Sequence, residues 1–204
     1  MERGSRLRAL HSISGVVPVG AFLVFHLSVN ASAGRGADAY NAAAQRLQGL
    51  PLLVWAEVIG IVVPLAFHGI VGLFLIASVP AAADHPTASG RRMAILQRIT
   101  GVILFPFILF HLWTTRLVQM SDHGSLDLFH LMQSALASPW IRAFYVAGTL
   151  AATSHLASGL WSVSRTLGLG ERPHARRVLA AVAAGIFVVL SAIGLRAVAE
   201  FRLP

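Results

Sequence analysis

The sequence has no cysteine and no lysine, and only 12% of its 204 residues are charged. Without cysteine there is no disulfide, no thiolate ligand for an iron–sulfur cluster and no covalent c-type haem attachment, which leaves histidine as the metal ligand. The scarcity of charge, set against 56% hydrophobic residues, excludes a soluble domain with an ordinary polar surface. The chain belongs in a membrane. All sixteen basic residues are arginine and the net charge is +8, but they are spread along the chain rather than clustered with aromatics on one face, so a nucleic-acid partner is not expected.

What the chain does have is apolar runs of the length that crosses about 30 Å of hydrocarbon at 1.5 Å per residue. Five occur, near 12–31, 53–79, 95–115, 140–164 and 178–199. They leave connecting loops of modest length and no room for a soluble domain, so residues 1–204 are read as a single all-α membrane domain, a bundle of five transmembrane helices. Ten arginines (Arg3, Arg6, Arg8, Arg91, Arg92, Arg98, Arg165, Arg172, Arg176, Arg177) fall on one side of this arrangement. Six (Arg35, Arg46, Arg116, Arg142, Arg196, Arg202) fall on the other. Cytoplasmic segments hold the arginine excess, so the N-terminus is expected in the cytoplasm and the C-terminus outside. Arg3, Arg6 and Arg8, an apolar run and "ASA" at 31–33 imitate a cleavable signal peptide, but the run is long and carries Pro18 and His26.

Four of the nine histidines sit inside the runs: His26 in "FLVFHLSVN", His68 in "LAFHGIVG", His111 in "ILFHLW" and His155 in "TSHLASGLW". Ionisable residues at such depth are costly, face the bundle interior and point to function. They are separated by 42, 43 and 44 residues, one hairpin each. His26 and His111 lie four to five residues before Asn30 and Arg116 at the outer end, whereas His68 and His155 each fall 15 residues after the outer start of an inward run. These are two levels, roughly 7 Å and about 22 Å below the outer boundary. Two imidazoles facing each other at each level suit axial ligation of two haem irons; a zinc or copper site would draw three or four ligands to one point. Gly69, Gly72, Ala151, Ala152, Ser158 and Gly159 leave room for a flat macrocycle, although small residues also serve ordinary helix packing. Glu57, one turn inside the second run, is a candidate for passing protons to a quinone. Arg98, Arg116 and Arg142 are candidates for pairing with haem propionates. His11 lies near the inner boundary and His85, His123, His130 and His174 fall in loops; most of these are expected to be solvated.

"RALHSISGVVPVGAFLVFHLSVN", "LQRITG", "FHLWTTR" and "SGLWS" resemble the cytochrome b558 membrane anchor of bacterial succinate dehydrogenases (succinate:menaquinone reductases) and related fumarate reductases, from about Leu7 through the fifth helix. The resemblance implies a multi-pass protein of the bacterial cytoplasmic membrane. It implies two b haems, an outer, distal one on His26 and His111 and an inner, proximal one on His68 and His155. It also implies an iron–sulfur subunit fed by a flavoprotein that oxidises succinate, with menaquinone as acceptor. Some fumarate reductase relatives have a glutamate two residues before the fourth histidine where this chain has Thr153, which puts a compensating proton path there in doubt. Other readings are a cytochrome b of another respiratory oxidoreductase, a transporter that relays protons or metal through its histidines, and a haem-free anchor.

Overall fold

A computed structural model describes residues 2–78, 88–117, 127–166, 168–169 and 172–201, with side chains at all of these except 2–5, 89, 165 and 166. His85, His123 and Arg202 lie outside the described residues. All the regular structure among them is helical.

The first rod joins α1 (Glu2–Ser14) and α2 (Gly20–Asn30) through a π-helical turn, Gly15–Val19, and ends in a 3₁₀ turn, Ala31–Arg35. Pro18 lies inside the π turn. Its ring displaces the carbonyl four residues back and it has no N–H to give, so the turn widens instead of breaking. The second rod repeats the device: α4 (Leu53–Glu57), a π turn Val58–Val62, then α5 (Val63–Ser78) with Pro64 in its first turn. Next come α6 (Ala88–Leu112), with a terminal π turn Trp113–Leu117, then α8 (Pro139–Thr166) and α9 (Pro173–Glu200).

Among the described residues, four helices are long and apolar enough to cross a membrane: Arg6–Arg35, Leu53–Ser78, Gly90–Leu117 and Pro173–Glu200. The five-helix expectation meets a difference here. The 28-residue α8 has the length but falls short in hydropathy, because it carries Arg142, Tyr145, Thr149, Thr153, Ser154, His155 and Ser158. Those groups are turned inward. α8 packs mainly against α6 and α9, and its Thr149, Thr153, Ser158 and Ser164 are buried. The hydroxyls of Thr153, Ser158 and Ser164 have carbonyls of their own helix within hydrogen-bond distance, as apolar surroundings require. Thr153 Oγ1, fully enclosed, bonds the Thr149 carbonyl at 3.0 Å and Ser191 Oγ of α9 at 2.8 Å. Gly194 lets α9 approach, since a Cβ there would meet Thr149 Cγ2 at 2.6 Å and Leu27 at 3.2 Å.

The helices outside this centre expose aliphatic and aromatic faces, such as Ile59, Ile70, Phe74 and Val188, as a lipid-facing belt does. Trp55, Trp113 and Trp140 are exposed close to the ends of three rods at one end of the bundle, the place of an interfacial aromatic girdle.

That end is also where the expectation of plain loops needs correction. α3 (Ala37–Gln48) and α7 (Leu128–Leu136) form there as amphipathic helices and close the bundle. Their apolar faces join Ala33, Phe129, Met132, Leu136, Tyr145, Val198 and Phe201 in one cluster. Asp127 caps α7: its carboxylate accepts from the His130 N–H at 3.0 Å and from Asn41 Nδ2 of α3 at 2.8 Å. The His130 backbone N–H, then the Asn41 amide and the His130 ring, hold the Asp127 carboxyl down at about 2. His130 and His174 lie in helices, α7 and α9, rather than in loops.

Candidate haem-binding histidine pairs

The rods bring the intramembrane histidines together two by two. His26 of α2 and His111 of α6 have ring centroids 5.6 Å apart with planes at 78°. His68 of α5 and His155 of α8 are 5.9 Å apart at 86°. The levels are separate. His155 sits beside Thr100 of α6, eleven residues and about 16 Å of helix from His111 on the same rod.

Each ring is held by a polar neighbour. His68 Nδ1 lies 2.8 Å from the His11 carbonyl, an acceptor, so Nδ1 donates and Nε2 keeps its lone pair. His111 Nδ1 is 3.2 Å from the Tyr145 hydroxyl, and the ring stacks on Phe107. His155 Nδ1 is 3.0 Å from Thr100 Oγ1, and its Nε2 is 3.2 Å from the Gln97 amide nitrogen. His26 Nε2 has Asn30 Nδ2 at 3.4 Å, with the Asn30 amide fixed by its own His26 carbonyl at 2.8 Å and by the Tyr40 hydroxyl at 3.2 Å. Burial, with Tyr145 adding to it, pushes the Tyr40 phenol up to about 12, so it remains a donor to Asn30.

These pairs fit one metal ion held from two sides. Metal–imidazole bonds of about 2 Å put the centroids of opposed rings about 6 Å apart. Among the described residues no group of three or more His, Cys, Asp or Glu is gathered for a single ion. Glycine shapes the inner pair. A Cβ on Gly15 would run into the His68 ring, and one on Gly101 would come within 3.2 Å of His155. Gly69, next to His68, faces open space as a cradle for a flat ligand would, but Gly72 is covered by His11, whose Cε1 is 3.0 Å from where its Cβ would be.

Of the other candidates, Glu57 and Arg116 form an ion pair with each other, Nη2 to Oε2 at 2.5 Å, about 30% exposed. Arg142 turns to the end of α7, where its Nε and Nη2 donate to the Leu136 carbonyl at 3.0 and 2.9 Å. There it caps the C-terminus of the helix. Arg98 is half-buried on α6 one residue from Gln97.

His11, at the boundary by sequence, is not simply solvated. Its ring stacks on His68 with centroids 4.1 Å apart and planes at 8°, and its Nδ1 is buried without a hydrogen-bond partner among the described residues. Depth alone gives no signal for it: His11 precedes His26 by 15 residues, about 22 Å of helix, which places it beyond the His68–His155 level and at the boundary. Gln97, Thr100 and Tyr145 give no signal either, because a lone polar residue in an apolar run reads equally as a residue bonded to its own helix.

A wholly aliphatic furrow, lined among others by Gly20, Ala21, Leu156, Val182 and Gly185, opens between α2, α8 and α9. It offers no side chain for chemistry on a polar substrate.

Residues 87–194 match the family described as succinate dehydrogenase/fumarate reductase transmembrane subunit. Over 194 residues, 95% of each chain, the sequence is 37% identical to the succinate dehydrogenase cytochrome b558 subunit of Bacillus subtilis (strain 168). No solved structure matches the chain. With the family matching more than half of the sequence and this relative nearly all of it, the chain belongs to the succinate dehydrogenase/fumarate reductase transmembrane subunits.

Proposed function

We propose that this membrane subunit is a di-haem cytochrome b anchor that passes electrons from an iron–sulfur subunit, itself fed by a succinate-oxidising flavoprotein, through two b haems to a membrane quinone, menaquinone. The observation that carries the reading is the pairing of four intramembrane imidazoles at two levels, His26 with His111 and His68 with His155. A haem held by two imidazoles supplies one-electron chemistry and leaves no axial position for oxygen. The chain's own part is to hold the rings at a fixed separation, to keep water out with α5, α6 and α8, and to meet its partners at the two ends.

In this reading α8 is the fifth span. It is about 42 Å long, it begins at the exposed Trp140, and its polar groups face the other helices. The N-terminus is cytoplasmic, and inner-end arginines including Arg92, Arg172, Arg176 and Arg177 form part of the docking face, near the His68–His155 pair where electrons enter. Quinone is reduced near the outer pair. Glu57, at that end, delivers protons through its carboxylate, which Arg116 holds.

The test is purification of the complex through this chain in mild detergent. The reading expects an iron–sulfur and a flavin subunit to accompany it and succinate to bleach the oxidised haem spectrum. A pigmented chain without those subunits, or one that succinate leaves oxidised, contradicts it. For Glu57→Gln we expect succinate still to reduce the haems while quinone reductase activity falls by at least tenfold. Unchanged quinone reduction removes Glu57 from the mechanism.

A further inference from the structure

With Ser158 Oγ donating to Gln97 Oε1 rather than to the Ser154 carbonyl 2.7 Å away, the polar groups around His155 form a donor order that leaves Nε2 its lone pair. That bond turns the Gln97 amide nitrogen toward His155 Nε2 at 3.2 Å. An amide nitrogen only donates, so Nε2 holds a lone pair and the ring proton lies on Nδ1. Nδ1 therefore donates to Thr100 Oγ1 at 3.0 Å. The Thr100 hydroxyl can accept because its own proton goes to the Leu96 carbonyl at 2.8 Å, with the Gln97 carbonyl at 3.1 Å.

The same logic runs at the outer level with different residues. Thr114 Oγ1 donates to the Phe110 carbonyl at 2.9 Å, with the His111 carbonyl at 3.3 Å, and so accepts from the Tyr145 hydroxyl at 3.3 Å. The phenol oxygen then accepts from His111 Nδ1 at 3.2 Å.

We infer that Thr100 and Tyr145 are positioning residues which keep the ring protons of His155 and His111 on Nδ1, so that Nε2 is the nitrogen offered to iron and is a stronger donor than an unassisted imidazole. An outer partner of this kind fixes tautomer and ring orientation and raises ligand basicity. A stronger donor favours ferric iron, so each hydroxyl lowers the potential of its own haem. The inference rests on the two-haem reading above.

Redox titration of the purified complex, followed by optical and electron paramagnetic resonance spectra, tests it. Thr100→Val is expected to raise the midpoint potential of the inner haem and move its g-values while the outer haem stays put. A tenfold loss of preference for the ferric form would read as about 59 mV. Thr100→Ser, which keeps the hydroxyl, is expected to behave as wild type. Tyr145→Phe is expected to shift the outer haem alone, and Thr114→Val, which removes the acceptor of the Tyr145 proton, to shift it in the same direction. If Thr100→Val loses the inner haem while Thr100→Ser keeps it, the hydroxyl is again what holds the ligand. The inference is overturned if Thr100→Val leaves both potentials and both spectra unmoved, or if Val and Ser behave alike, since the position then matters only for packing. Wild-type complex without two haems would instead tell against the function proposed.

Discussion

Replacement of His26 or His111 by leucine is expected to abolish one and the same low-spin ferric haem signal, and replacement of His68 or His155 to abolish the other. The reason is geometric. Rings 5.6 and 5.9 Å apart are close enough to share an ion, while the two levels are about 16 Å apart along α6. Loss of one imidazole therefore leaves its partner alone on a five-coordinate or empty site without touching the other pair. Electron paramagnetic resonance on four membrane preparations reads this directly. If His26→Leu and His68→Leu removed one common signal and His111→Leu spared it, the two-level arrangement would be wrong. Leucine is close enough to imidazole in volume for the bundle to assemble around it. His155→Leu takes the partner from the Gln97 amide nitrogen inside the bundle, so it is expected to destabilise the subunit more than His26→Leu.

The second large effect comes from one methyl group. Gly15→Ala is expected to cost the inner haem while the outer one stays, because the new Cβ would occupy the place of the His68 ring. His68 cannot simply turn aside. Its Nδ1 is tied to the His11 carbonyl and its face is covered by the His11 ring. Overpacking of this kind costs about 1–3 kcal/mol, and ligand constellations tolerate displacements of only about 0.5 Å. Gly60→Ala is the matched control: Gly60 also lies in a π turn, but a Cβ there meets nothing within 4 Å. The haem spectra of the two variants should differ sharply. An inner haem retained unchanged in Gly15→Ala would show that the first rod does not press on His68.

Much of the architecture could be read from the sequence because a bilayer imposes one length and one polarity on every span. The apolar runs 12–31 and 178–199 correspond to helices that extend beyond them at both ends, Arg6–Arg35 and Pro173–Glu200. The difference lies in polar caps, which hydropathy counts against a span although the helix continues through them. α3 and α7 escaped for a related reason. With 12 and 9 residues they are too short to register as apolar runs, and their stability comes from covering Phe129, Leu136 and Phe201 rather than from the local sequence.

At the site, depth alone sorts His26 with His111 and His68 with His155, because one residue of helix is about 1.5 Å of membrane. Side-chain partnership between rods is not encoded in that way. Glu57 and Arg116 are 59 residues apart in sequence, so each reads there as an independent interfacial charge, and only the packing of the rods makes them an ion pair. Arg142 read as a group free to bind an anion, yet the α7–α8 corner places an uncapped carbonyl within its reach. His11 read as a boundary residue because its covering comes from α5, more than fifty residues away.

The most direct test of the account is a count. A pyridine haemochrome assay on the purified subunit or complex, set against protein concentration, is predicted to give two b haems per chain. One haem per chain would leave one of the two histidine pairs without its assigned role, and none would contradict the electron-carrying function altogether.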